Sequence, residues 1–564
     1  DLFEGMPTDI AVNPTLPVAY VTVVSNDFRR LLTVDLDTLE VLQAIDQSHN
    51  AMGLAVSPDG GTVWSAGGSS GTVQEWSVGD DGTLTEVASI PTAETAAGLA
   101  LSPDGSTLWV ATLEDELVSE IDTETATVTR QIPVTVDGWG MTYVAARNEL
   151  ILGSLTDELI SVVDLDAGEE AAALTVGQAP AGMTSDGTTL WVAVSNGDEV
   201  AAIDMESRTV FAEATVTEGD LVGDDGPLGN SNVNNLWLDG DRLYVTRGSD
   251  NAVSVLDAAS LEFLGSFPTA KYPNDVEVVD DRAVIAAWRG GGIGPGEGAK
   301  GLQQGAVTVV ELDGLDLDAT TAEVMDQATS AADSFPYTCD GTFPVPTVAG
   351  QDRPIEHVVL IVKENKTLDC LFGDMGDEIP DLDVDASEQS YPDEATPNMR
   401  ALIHQFNISD NFYTNALESD SGHILLTATH LTQYAEWMWM ESSYDGTSFT
   451  WPIDDPSEPS VGTFFTHVLD SGLSLRTYGE IVGMFAETAD GRTPMEYSDL
   501  DYPGGPVFNI GVSDVDKANY LAEEIAYSGL ADFTYISLPN DHTFGGDIGR
   551  PTPDSMVEIG RAHV

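Results

Sequence analysis

Three short segments gather the residue types that can do chemistry. Lys363 to Asp369, KENKTLD, sets the Glu364 carboxylate beside the Asn365 amide at the end of an aliphatic run, and hard divalent cations take such oxygen donors. Ala416 to His430, ALESDSGHILLTATH, puts Ser419 just ahead of a helical pattern. A serine at a helix N-terminus is placed for phosphoryl chemistry, because backbone N–H groups and the helix dipole favour the negative charge of phosphate. Its hydroxyl needs a base or a metal ion to be activated. His423, four residues on, can contact a substrate or pack within the first turn. Phe533 to Gly546, FTYISLPNDHTFGG, ends an apolar run in Asp541 and His542, side chains that suit a metal or phosphate site. Taken singly, each segment also has a plainer reading: a solvated strand-to-helix turn, an N-cap by Ser419, Asp420 or Ser421, and an Asx-type turn. Together they are more specific, because strand ends in a doubly wound sheet converge on one crevice.

The elements that must position these residues are legible in part. His357 to Val362 is an unbroken aliphatic run of strand length, which predicts a strand buried on both faces of a parallel sheet. Leu425, Ala428, Leu431, Ala435 and Met438 recur at helical spacing and predict one helix over 422–440. Residues 354–557 therefore read as an α/β domain.

Residues 1–313 have a different texture. GLAVSPDG from Gly53 and GLALSPDG from Gly98 are two copies of a unit whose weaker copies align at Asp9, Gly140, Gly182, Asn235 and Asp275, with spacings of 44, 45, 42, 42, 53 and 40 residues. Each copy holds short alternating strands broken by Asp-Gly turns, as in a four-stranded blade. Seven copies predict a seven-bladed all-β propeller, whose closure leaves few edges exposed. The units resemble YVTN-type propeller repeats, on Tyr20-Val21-Thr22-Val23 and Tyr244-Val245-Thr246-Arg247. GDLVGDDGPLGNSN, in the long fifth interval, reads as an acidic insertion projecting from one face. Residues 314–353, acidic and then Pro-rich, read as a linker.

Composition excludes some partners. The net charge is −75, from 95 acidic and 20 basic residues, of which five are lysines. Such a surface repels nucleic acid and anionic lipid, offers no basic patch, and suits a high-salt habitat. No stretch approaches the roughly 18 apolar residues of a membrane span. Cys339 and Cys370, the two cysteines, are either one bridge or two buried thiols.

IEHVVLIVKENKTLDCLFGDM, SDNFYTNALESDSGH and FTYISLPNDHTFGG resemble the phosphoesterase family that includes bacterial phospholipase C and acid phosphatase-like enzymes, within the alkaline phosphatase superfamily. That resemblance implies a metal-dependent hydrolase of phosphate esters outside the cytoplasm. It implies a divalent cation on Glu364 and Asn365, with Asp541 and His542 as further ligands or substrate contacts, and Ser419 as nucleophile; His423 joins Ser419 as a catalytic candidate on the residue reading above. The last six residues, IGRAHV, match the translation of a common sequencing adapter. The expectation is that 558–564 are an artefact, that the native sequence runs on beyond Val557 to further ligands, and that the second domain is incomplete. The competing reading is a propeller-based surface or interaction protein whose second domain is degenerate and non-catalytic.

Overall fold

The computed structural model describes every residue except 1, 26–27, 49–52, 114, 218–221, 224–225, 228–230, 294–302, 334–353, 364–365, 392–394, 413–415, 417–418, 429, 443–456, 481 and 543–564. The chain divides into two compact units. One comprises Asp1–Pro336, Leu431–Pro452 and Pro459–Val461; the other comprises Tyr337–His430, Ile453–Glu458 and Gly462–Val564.

The first unit is the seven-bladed propeller. Each blade is an antiparallel meander of four strands, as in Met6–Val12, Val18–Val24, Arg29–Asp35 and Val41–Gln47. Val, Ala, Ile and Tyr fill the inner strands because both faces of a blade are covered by its neighbours. The outermost strand keeps only alternate side chains partly buried. In five blades the third strand ends in Asp35, Asp122, Asp164, Asp204 or Asp257, whose Oδ1 accepts the backbone N–H three residues on at 2.7–2.9 Å. This Asx turn sets each outer hairpin. The seventh blade, Lys271–Val279, Arg282–Ile293 and Gln303–Glu311, takes Leu2–Glu4 as its outermost strand, with Leu2 opposite Ala306. The ring is thus closed by residues from opposite ends of the repeat region.

The aligned repeat position carries glycine in four consecutive blades, and the packing explains why. A Cβ at Gly53 would stand 1.9 Å from Ala97 O, and one at Gly140 would stand 2.2 Å from Ala181 O. Each inner strand presses its backbone against the next blade there, so no side chain fits.

The stretch read as a linker opens with a helix, Leu317–Asp333, which belongs to the propeller unit. Thr321 Oγ1 accepts Ser266 N at 2.7 Å and Thr320 Oγ1 donates to Ser266 O at 2.7 Å, seating the helix on the outer strand Phe263–Pro268. The helix predicted over 422–440 is two helices, Ser419–Ala428 and Gln433–Ser442, and they fall in different units. Thr432 breaks the run: its Oγ1 accepts Ala435 N at 3.1 Å as an N-cap would. Trp437 of the second helix meets Trp139 edge-on, with centroids 4.7 Å apart, and lies 5.9 Å from Trp288. Arg289 pairs with Glu436.

The second unit is built on a parallel sheet of three strands in the order Val358–Lys363, Phe533–Leu538, Leu475–Tyr478. Lys363 faces Leu538 and Tyr478 faces Ile536 in register. Phe533–Leu538 is buried throughout, and Phe465, Leu469, Met484 and Tyr535 form the core against it. The aliphatic run at 357–362 does form a strand, but it is not buried on both faces. Among the described residues it is an edge strand, with Val358 48 % and Ile361 52 % exposed, because its only sheet partner is Phe533–Leu538. Cys370 is a free, half-buried thiol, and Cys339 lies outside the described residues. No helix among the described residues is long and apolar enough to cross a membrane.

Candidate functional site

Parallel strands put all their carboxyl ends at one edge of a sheet, and open α/β sheets bind ligands there. In the second unit that edge carries Lys363, the last residue of its strand, together with Glu480 two residues past Tyr478 and Asp541 three residues past Leu538. Lys363 Nζ stands 3.0 Å from Asp541 Oδ2, and the Asp541 side chain is almost wholly buried.

Glu480 is the electrostatic centre of this edge and is 1 % exposed. Its Oε2 lies 2.8 Å from His423 Nδ1 and also accepts the Tyr535 hydroxyl, while Oε1 accepts Val482 N at 3.0 Å. Burial alone would raise the Glu480 pKa. The charge of His423 and hydrogen bonds from His423, Tyr535 and Val482 outweigh it and hold the carboxyl below its usual range. Glu480 thereby holds the imidazole through Nδ1.

His423 sits on the helix Ser419–Ala428, and Ser419 is its first residue. Positions four apart share a helix face, so Ser419 and His423 lie on one side. Thr427 Oγ1 bonds back to His423 O at 2.9 Å. Asn540 is a local lock: its N–H donates to Asp514 Oδ2 at 2.9 Å, and its Oδ1 accepts Asp514 N at 2.8 Å. These two bonds clamp the Asp541 turn to the helix Asp514–Ser528.

Of the residues singled out from the sequence, His423 and Asp541 stand at this edge or are tied to it, and Ser419 shares His423's helix face. His542 ends the short turn Asn540–His542. Glu364 and Asn365 lie outside the described residues. Sequence reasoning missed Glu480, Tyr535 and Lys363. Lys363 stood beside Glu364 and was passed over, whereas Glu480 lies in a loop with no motif around it.

No family model matches the chain, and no curated protein matches it. Among solved structures, Kuenenia stuttgartiensis hydrazine synthase is similar over 55 % of this chain and 96 % of its own, at 18 % identity and a TM-score of 0.44. That likeness carries no argument about activity.

The donor set bears on the expected metal. Among the described residues, no three His, Cys, Asp or Glu side chains gather as a metal site would need. Both described carboxylates are engaged by protein donors, Asp541 by Lys363 and Glu480 by His423, Tyr535 and Val482. The described residues of this edge alone do not make a metal site.

Proposed function

We propose that the second unit hydrolyses phosphate esters, with Ser419 as its nucleophile. The observation that supports this reading is the meeting of Lys363, Glu480 and Asp541 at the carboxyl edge of the sheet, with Glu480 bound to His423 on the helix that Ser419 begins. The ester class comes from the resemblance of the three segments to the phosphoesterase family.

In this reading the Ser419 oxygen forms a bond to phosphorus as the ester P–O bond breaks, and the leaving alcohol takes up a proton. Water then attacks the phosphoserine, releasing phosphate and restoring the hydroxyl. His423, held by Glu480, carries the proton through Nε2. The N–H groups of the first helical turn and the Lys363 ammonium counter the negative charge of the phosphoryl group. Glu364 and Asn365 would supply donors for a divalent cation, with Asp541 and His542 joining only if Asp541 leaves Lys363. When bound, such an ion neutralises phosphoryl oxygens. An extracytoplasmic location goes with this reading.

The test is turnover of 4-nitrophenyl phosphate and bis(4-nitrophenyl) phosphate by the full chain, with and without chelator. Turnover lost in Ser419→Ala and reduced in His423→Gln supports the assignment. Turnover that survives Ser419→Ala refutes it. A chain with no phosphoesterase activity under any metal supports an interaction protein with a non-catalytic second unit.

A further inference from the structure

The repeat position filled by glycine in four blades is Asp9, Asn235 and Asp275 in the other three. Closure of the ring makes these blades consecutive, since the seventh lies beside the first. Their side chains latch blade to blade. Asn235 Nδ2 donates to Asp275 Oδ1, Ile10 N donates to Asp275 Oδ2 at 3.1 Å, and Gly53 N and Leu54 N donate to Asp9 Oδ2 at 2.9 and 2.7 Å. Next to them Glu277 Oε2 accepts Val12 N at 2.8 Å.

Latching does not account for everything at this place. The carboxylates line a cavity of about 300 Å³ at the inner ends of the blades, also lined by Gln433 from the helix Gln433–Ser442. The register slips in these inner strands, between Pro7 and Asp9, Val233 and Leu236, and Pro273 and Asp275. Such bulges re-aim side chains, and Asn234 and Asn274 line the cavity with the acidic ring. Asn234 Nδ2 donates to Pro273 O at 3.0 Å and Asn274 Nδ2 to Thr8 O at 3.2 Å. The Oδ1 atoms of both, and Oε1 of Gln433, are buried with no hydrogen-bond partner. These residues are 2 %, 6 % and 4 % exposed. An orphaned buried carbonyl costs about 1–3 kcal/mol, and three of them share one cavity. That cavity has three carboxyl groups and no lysine or arginine in its lining.

We propose that the propeller cavity binds a hard cation of the Ca²⁺ class, with oxygen donors from Asp9, Asp275, Asn234, Asn274 and Gln433. Oxygen donors without a counter-charge are what such an ion takes. Ca²⁺ fits better than Mg²⁺, because the donors come from separate strands and a helix and Ca²⁺ accepts irregular coordination by six to eight oxygens. The unpartnered Nε1–H of Trp288, which also lines the cavity, calls for an oxygen in the same space, so water accompanies the ion.

The probe is CaCl₂ added to the chelator-treated full chain in 1 M KCl, where screening over about 3 Å suppresses diffuse binding to the acidic surface. Bound calcium is counted by equilibrium dialysis, and melting is followed by tryptophan fluorescence. The nine described tryptophans fall in the propeller unit, and Trp139, Trp237 and Trp288 line the cavity. We expect about one tightly held Ca²⁺ whose binding raises the tryptophan-monitored melting temperature. Asp275→Asn and Gln433→Leu should each weaken it at least tenfold, and Asp541→Ala in the second unit should leave it unchanged. Gln433→Leu keeps the test open if Asp275→Asn does not fold. Absence of binding, binding that ignores both cavity variants, or binding lost only in Asp541→Ala overturns the proposal. The last outcome would place the ion in the second unit and leave the phosphoesterase reading standing.

Discussion

Removal of the Glu480 carboxylate tests whether the carboxyl edge is organised as described. In Glu480→Ala the Tyr535 hydroxyl, His423 Nδ1 and Val482 N all lose their acceptor inside a buried site. Breaking a buried pair by deleting one partner costs about 3–5 kcal/mol. For a unit of roughly 200 residues, that lowers the melting temperature by about 6–20 °C. The effect should be confined to one transition. Because every described tryptophan lies in the propeller unit, fluorescence chiefly follows that unit, while calorimetry and far-ultraviolet circular dichroism also detect the second. The calorimetric transition not matched by fluorescence should fall, and the fluorescence transition should stay within a degree or two. Glu480→Gln, which keeps one acceptor oxygen, should cost less, about 1–3 kcal/mol. The pH dependence has a fixed sign. Since the folded pKa of Glu480 is depressed, its contribution is complete above the unfolded value of about 4.3 and is lost as pH falls through the folded one. The gap between wild type and Glu480→Gln should therefore narrow below about pH 4. An equal shift of both transitions, or none of either, would refute the assignment of Glu480 as the organiser of this edge.

Other perturbations separate the units further. Gly140→Ala should destabilise the fluorescence-monitored unit by about 1–3 kcal/mol, since its Cβ would meet Ala181 O at 2.2 Å; a melting temperature equal to that of wild type would refute the close-approach argument. Trp437→Ala should cost the propeller unit about 3–5 kcal/mol in denaturant unfolding, because it removes the ring between Trp139 and Trp288. Burial lowers the His430 pKa to about 4, so the unfolded chain binds the extra proton between about 6.5 and 4. Stability of the second unit should fall as pH drops across that window, by up to about 3 kcal/mol, and His430→Gln should flatten the calorimetric profile there.

The propeller was legible because its signals repeat: seven copies of one spacing average out the ambiguity of any single short strand. The glycine position was visible too, with its Asp9, Asn235 and Asp275 exceptions, but their meaning was not. Only ring closure makes the first, sixth and seventh blades consecutive and turns three isolated substitutions into one polar wall. Periodicity over 422–440 was real but could not register Thr432 as a cap, so two helices read as one. An aliphatic run does not say whether its strand is central or marginal, which is why Val358 and Ile361 stood as buried. Glu480 was invisible because its partner His423 lies 57 residues upstream and nothing local marks either as a pair. The three motif segments were legible as segments; what joins His423 to the sheet edge was not.

The return of the chain to the propeller unit at Leu431–Pro452 constrains the order in which the protein can be made. The last blade strand ends at Glu311, and Gln433 follows about 120 residues later. At 5–20 residues per second a ribosome needs on the order of ten seconds to cover that interval. During it Trp139, Trp288 and Tyr272 stand without Trp437 and Tyr434, and much of the second unit emerges before the first is finished. The propeller is therefore first to be started and not the first to be completed, and a cut at any single peptide bond between the repeats and the sheet would leave it without its own helix.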